Sequence, residues 1–262
     1  MKATLNISCH FSNIAHKYRD LRTTDIEPVL FIKDKLKHLK KINAADIGCG
    51  AGRYDIKLIE HFGNRIYLNC IDTNKEMLKQ LKDLFNEIRV RNFKTLKAFA
   101  RQLPLTDNSM DCLFTFNAVH HFHLKRFLKD AARILKNKGY LFIYTRLKSQ
   151  NKRNIWGQFF PMFNEKEKRL YELKELKSAV RDTENLHLES IVIFKYPRIS
   201  SLEWLLTQVI NRHYSTFFFY SKEEFEYSLR VFQKRLLKKF KNPEKIFWFD
   251  ENIMLVVRKL LF

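Results

Sequence analysis

Glycine and proline are scarce in this 262-residue chain, with six of one and five of the other, and there are only four cysteines. There is no low-complexity linker and no internal repeat. No stretch approaches the roughly 18 uninterrupted apolar residues of a membrane-spanning helix, and Met1 to His10 has no apolar signal-peptide core. Cys9, Cys49, Cys70 and Cys112 are widely scattered. None forms a Cys-x-x-Cys pair, and His10 and His16 lack ligand spacing, so no metal site is expected. Cys70 and Cys112 lie in apolar runs and read as reduced, buried thiols, which points to the cytoplasm.

A hydrophobic content of 45% supports a real core, and 29% charged residues support a soluble surface. The length suits one large domain over residues 1–262. Net charge is +21, with 28 Lys and Arg against 14 Asp and Glu in residues 1–150 and 21 against 14 in the rest. The excess is spread rather than gathered in a tail. Lys33, Lys35, Lys37, Lys40 and Lys41 sit among apolar residues as a solvated helix face would. A nucleic-acid footprint is the alternative.

Half of the glycines fall in one turn, Asp46-Ile-Gly-Cys-Gly-Ala-Gly52, directly after the apolar residues Ile42 to Ala45. Twenty residues past the last glycine, Asp72 closes a second apolar run, Ile66 to Ile71. A bare turn launching a helix, with an acid at the end of the next strand, is the pattern of a nucleoside held at the edge of a parallel sheet. Asp72 can accept hydrogen bonds from both ribose hydroxyls. A nicotinamide dinucleotide wants a third glycine at position 53, where a long side chain, Arg53, stands. S-adenosylmethionine has no pyrophosphate, and Asp46 can help hold its ammonium, so this cofactor is favoured.

Along the chain, strands are expected at 42–47, 66–71, 93–99, 112–116 and 140–145. Helices alternate with them at 53–62, 74–89 and 124–135, after earlier ones over Phe11–Arg22 and from Pro28 to about Lys40. A turn is expected at Lys138-Gly139. This alternation demands a mainly parallel, doubly wound α/β sheet with right-handed crossovers. Beyond Arg146, the pattern gives a charged helix over Glu165–Val180, a strand over Leu188–Lys195 that Pro197 breaks, helices over 202–210 and 222–240, and a last strand over Ile253–Arg258. Residues 198–240 read as a helical insertion between the final two strands, completing a Rossmann-like seven-stranded sheet.

Five ordered segments carry a more specific signal. They are Ala15-His-Lys-Tyr-Arg-Asp-Leu-Arg22, the 46–52 turn, Ile71-Asp-Thr-Asn-Lys-Glu-Met-Leu78, Leu103-Pro-Leu-Thr-Asp-Asn-Ser-Met-Asp111 and Phe116-Asn-Ala-Val-His-His-Phe122. Together, residues 11–146 resemble the class I methyltransferase domain, in particular the type 11 group that includes quinone-biosynthesis methyltransferases. The resemblance implies a cofactor-binding core over 11–146, with 147–262 as a substrate-side lid, insertion and closing strands. It implies that Gly48, Gly50 and Gly52 line the methionine part of S-adenosylmethionine, that Asp72 binds the ribose, and that Thr73 and Met77 flank the adenine. The acid this group usually carries before Leu-Pro is replaced by Phe99, leaving backbone contacts from Ala100 and Arg101 to read the adenine. Asn117 is expected beneath the sulfonium, and Tyr18 and Arg22 over the methionine carboxylate or the methyl donor.

Methyl transfer from a sulfonium is one in-line displacement, which mainly requires alignment and exclusion of water. No catalytic residue is therefore assigned. His120 and His121 are placed to shape the pocket or to deprotonate an acceptor, and Tyr144 and Arg146 are expected to face the same crevice. The Phe217–Tyr220 cluster either roofs an apolar pocket or packs the insertion. The Trp156–Phe163 segment is either a lid or a packed connector. The leading expectation is a methyltransferase acting on a small molecule. A tRNA methyltransferase is the alternative, and a non-catalytic cofactor-binding scaffold a third. The oligomeric state is left open.

Overall fold

The computed structural model describes residues 23–260. The helix expected over Phe11–Arg22, and with it Tyr18 and Arg22, lies outside the described residues. Strands β1 (Ile42–Ile47), β2 (Ile66–Asp72), β3 (Phe93–Lys97), β4 (Met110–Phe116), β5 (Leu135–Thr145), β6 (Leu186–Ser200) and β7 (Ile246–Lys259) form one sheet. Its order is β3-β2-β1-β4-β5-β7-β6. The first five strands pair in parallel, and β7 runs antiparallel between β5 and β6. The connections reverse direction between β1 and β4, so a crevice opens where those two strands end.

The helices are α1 (Glu27–Lys35), α2 (Arg53–Phe62), α3 (Lys75–Glu87), α4 (Leu124–Ile134), α5 (Lys148–Asn151), α6 (Ile155–Phe159), α7 (Phe163–Lys166), α8 (Leu173–Arg181), α9 (Leu202–Ile210) and α10 (Lys222–Lys239). α3 shows why the sequence folds this way. Met77, Leu78, Leu81 and Phe85 recur at helical spacing and are all buried, while the Asn74 side chain caps the start by accepting from Glu76 N and Met77 N. α1, α2 and α3 bury their apolar stripes on one face of the sheet, against Ala44, Cys70, Phe114 and Phe142. α4 and α8 cover the other face, against Ala45, Leu113, Leu141 and Leu255. A third cluster gathers Trp156, Phe160, Phe163, Phe217, Phe232 and Trp248 beneath α9 and α10. These two helices lie between β6 and β7, where a helical insertion was expected.

Four local expectations differ from what is found. The charged helix over Glu165–Val180 is two helices, α7 and α8. Glu167 turns inward between them to meet the Arg169 guanidinium and the Thr216 hydroxyl, and Glu172 begins α8 with its own capping box. Pro197 does not break β6, because that strand is the sheet edge and a missing N–H is tolerated there. The Lys138-Gly139 turn is absorbed into β5 as an irregularity, with Lys138 at φ 65° and a shift of register against β4. β7 begins at Ile246, seven residues before the expected start, because its first half pairs with the outer part of β6 as a two-stranded ribbon.

Candidate active site

The glycine turn rises from the end of β1. Gly48, Gly50 and Gly52 have φ of 77°, 56° and 83°, a region that side chains other than glycine rarely adopt. A Cβ at Gly48 would stand 2.5 Å from Ala118 Cβ, so the turn and the chain after β4 touch with no room between them. Gly48 N and Cys49 N both donate to the Ile71 carbonyl, at 2.8 and 3.1 Å, which fastens the turn to the end of β2. Asp72 completes the link. Its Oδ2 accepts from Gly50 N at 2.9 Å and its Oδ1 from Asn74 N at 2.8 Å. Burial pushes the Asp72 carboxyl above its ordinary value, and the N–H groups of Asn74, Gly50 and Thr73 pull it back toward the charged form.

A cavity of about 900 Å³ opens beside this turn. Gly48, Gly50, Asp72, Thr73 and Met77 line one side of it, Ala100 and Arg101 another, and Asn117 with His121 a third. Phe99 lines it as well, more than half exposed, with the Arg101 guanidinium over its ring. Asn117 adopts φ 54° and is fixed by donating its N–H to the Tyr144 carbonyl at 2.8 Å. From the far side α7 contributes Glu165 and Lys166, and Phe219 of the aromatic cluster joins them.

Three of the expected site residues stand elsewhere. Gly52 caps α2 and would clash with Leu81 if it had a side chain, but it does not line the cavity. Asp46 lies beneath the turn, wholly buried, and does not reach the cavity. Its neighbour is Asp55 of α2, which accepts from the Cys70 thiol at 3.2 Å. Burial, together with Asp55, drives the Asp46 carboxyl well above the usual range. Burial pushes Asp55 up to about 7. Tyr144 is buried in the core, packed on Tyr54 and Phe194, and its hydroxyl bonds the Tyr196 hydroxyl at 3.3 Å. It lines neither this cavity nor the next, because its side chain points into the sheet face beneath α2.

A second chamber of about 400 Å³ adjoins the first and shares Asn117, His120 and His121 with it. Arg146 lines this chamber, bonded to Asp250 at 3.1 Å and to the Tyr214 hydroxyl at 3.1 Å. Burial works to lower the Arg146 pKa, but Tyr214 and Asp250 outweigh it and hold the guanidinium charged. Arg198 forks onto both oxygens of Asp25 at 2.7 Å. Trp248, Asp250 and Asn252 alternate along one face of β7, opposite Tyr196 and Arg198 of β6. Sequence reasoning missed Asp25, Arg198, Trp248 and Asn252. The one signal available was the every-second-residue spacing of Trp248, Asp250 and Asn252 in the first half of β7, which an early start for that strand would have revealed. Phe217 is packed within the third core cluster, whereas Trp156 of that cluster also lines the second chamber and Phe219 lines the first.

Residues 45–143 match the family described as methyltransferase domain. The strand order and the turn agree with that match. Among curated proteins, the chain is similar to the ubiquinone/menaquinone biosynthesis C-methyltransferase UbiE of Rickettsia akari, 32% identical over 139 residues, 49% of this chain and 56% of the relative. The chain thus spans about half the length of the curated relatives it matches. Among solved structures, YcgJ of Bacillus subtilis superposes with a TM-score of 0.61 at 16% identity over 90% of this chain and 99% of its own. Geranyl diphosphate C-methyltransferase of Streptomyces coelicolor A3(2), solved with Mg²⁺, geranyl-S-thiolodiphosphate and S-adenosyl-L-homocysteine, superposes with a TM-score of 0.56 at 13% identity over 88% and 75%. At these identities the structural likenesses speak for the fold alone.

Proposed function

We propose that the chain is a cytoplasmic S-adenosylmethionine-dependent methyltransferase acting on a small-molecule acceptor. The observation that carries this is the junction at Asn117, His120 and His121 between two chambers, one of them walled by the glycine turn and Asp72. The larger chamber suits an adenosyl group, because its wall at Gly48 is bare backbone where a Cβ would not fit and the acid beside that turn, Asp72, is anchored by backbone N–H groups. When bound, S-adenosylmethionine supplies an electrophilic methyl group on a sulfonium. Asp72 would hold the ribose hydroxyls, Thr73 and Met77 would flank the adenine, and Ala100 and Arg101 would read its edge. Asn117, locked by its bond to Tyr144, would position the reacting end at the opening into the second chamber. Residues 147–262 would then be the acceptor side, with α6, α7 and the insertion keeping water out.

Asp46 belongs to the support of the turn in this reading, since it is buried beneath it. His121 faces both chambers and is the group to accept a proton where the acceptor carries one. At about 400 Å³ the second chamber suits a small molecule rather than a tRNA backbone. Two measurements test the reading together. S-adenosylmethionine or its demethylated product should raise the melting temperature while NAD(H) does not. A labelled methyl group should pass from the donor into the metabolite fraction of an extract and not into its RNA.

A further inference from the structure

The second chamber has a chemistry of its own. Its charges cancel: Arg53, Arg146 and Arg198 stand against Asp25, Asp250 and Glu167. The acids are engaged, Asp250 and Asp25 by the arginines of the chamber and Glu167 by Arg169. In a chain of net charge +21, the lining of this chamber is balanced. Arg146 and Arg198 are already bonded to Asp250 and Asp25, and Arg53 to the Thr23 carbonyl and the Thr24 hydroxyl, so a charged ligand would have to displace an existing partner.

Two polar groups remain unspent. Trp248 Nε1 and Asn252 Oδ1 are buried, both residues are 8% exposed, and neither atom has a hydrogen-bond partner among the described residues. Both residues line the chamber. They stand four residues apart on the same face of β7, so the indole offers a donor at one end and the amide an acceptor at the other. The Asn252 end is nearer the cofactor chamber, because Thr145 pairs with Ile253 at the level where Asn117 bonds the end of β5. At about 400 Å³ the chamber has room for the volume of about a dozen waters, which sets the scale of a single substituted ring rather than of a long chain.

We infer that the acceptor is a compact, uncharged ring compound, with an O–H or N–H that Asn252 Oδ1 accepts and, at its other end, a carbonyl-type oxygen that takes the Trp248 indole N–H. This rests on the methyltransferase reading. The group beside Asn252 is the one that is methylated. Its oxygen or nitrogen lone pair forms the new bond to the methyl carbon, the carbon–sulfur bond breaks with its pair going to sulfur, and the proton leaves to His121 or to water. The products are the methylated ring and the demethylated cofactor.

The test is calorimetry on the full chain saturated with S-adenosylhomocysteine, with three probes: 4-hydroxybenzamide, its anionic counterpart 4-hydroxybenzoate, and a decyl-tailed benzoquinone. The expected result is that the amide binds and that the other two bind at least tenfold more weakly. Trp248→Phe and Asn252→Ala should each weaken the amide about 3- to 10-fold, the loss of one hydrogen bond, without changing the affinity for S-adenosylhomocysteine. No binding of the amide, equal or tighter binding of the acid or the tailed quinone, or an amide affinity untouched by both substitutions overturns the proposal. Failure of S-adenosylhomocysteine to bind in the same samples strikes the methyltransferase reading instead.

Discussion

The two chambers are built in opposite ways. The larger is walled on its β1 side by main chain, and its decisive hydrogen bond joins residues 22 apart, Gly50 and Asp72. The smaller is walled by side chains brought from across the chain, with Arg146 and Asp250 separated by 104 positions and Arg198 and Asp25 by 173. A wall of backbone is specified by local conformation, and few residues can replace a glycine there. A wall of side chains can be respecified one residue at a time without disturbing the sheet. One fold can therefore keep its donor and change its acceptor.

If the two regions are as separable as this implies, damage to one should spare the other. The largest effect is expected from Trp156→Ala. It removes a buried ring stacked on Phe232 at 5.4 Å and should cost about 3–5 kcal/mol of unfolding free energy in urea titrations. Affinity for S-adenosylhomocysteine should nevertheless stay within twofold, and a parallel collapse would show that the regions are coupled.

A pH effect of similar size is expected from beneath the glycine turn. Asp55 is raised from 3.8 to about 7 by burial, so the folded chain holds its proton where the unfolded chain has lost it. The resulting stability is fully present below pH 3.8 and is lost as pH rises through about 7. The loss is about 1.4 kcal/mol per pH unit, or about 4 kcal/mol in all. Asp55→Asn should flatten this fall, measured as the difference from the wild type at pH 5, 6, 7 and 8. Identical slopes for the two proteins would contradict the assignment.

Gly48→Ala should cost about 2–3 kcal/mol, from a left-handed φ and a clash with Ala118, and should abolish the thermal shift produced by S-adenosylmethionine. The smallest of the four is Asp72→Ala, which should weaken cofactor binding by about 1.5–3 kcal/mol with the fold intact by circular dichroism. An unchanged affinity would remove Asp72 from the ribose.

The same contrast explains what the sequence made legible. β1 and α2 were placed to the residue, because an apolar run, three glycines and an amphipathic helix follow one another without interruption. Asp72 was found by its distance from the turn, since parallel pairing of β1 with β2 brings the ends of the two strands level. Asp46 was misjudged because spacing gives proximity to the turn but not the side on which a carboxylate lies; only the packing of Asp55 and Cys70 decides that. Tyr144 was misjudged for a related reason. Strand alternation puts successive residues on opposite faces, so Tyr144 and Arg146 share a face, yet the sheet ends between them and only Arg146 emerges. Arg198 was hidden by Pro197, which reads as a break when the strand's position at the edge is unknown.

That proline carries a consequence for how the chain behaves among its own copies. β6 is 15 residues long and forms a rim of the sheet, the kind of border onto which another molecule's strand can be added, row upon row. A ring without an N–H near its outer end interrupts the row of donors along that border, and the exposed Lys195 two residues before it adds a charge there. The rim is thereby guarded against unwanted self-association.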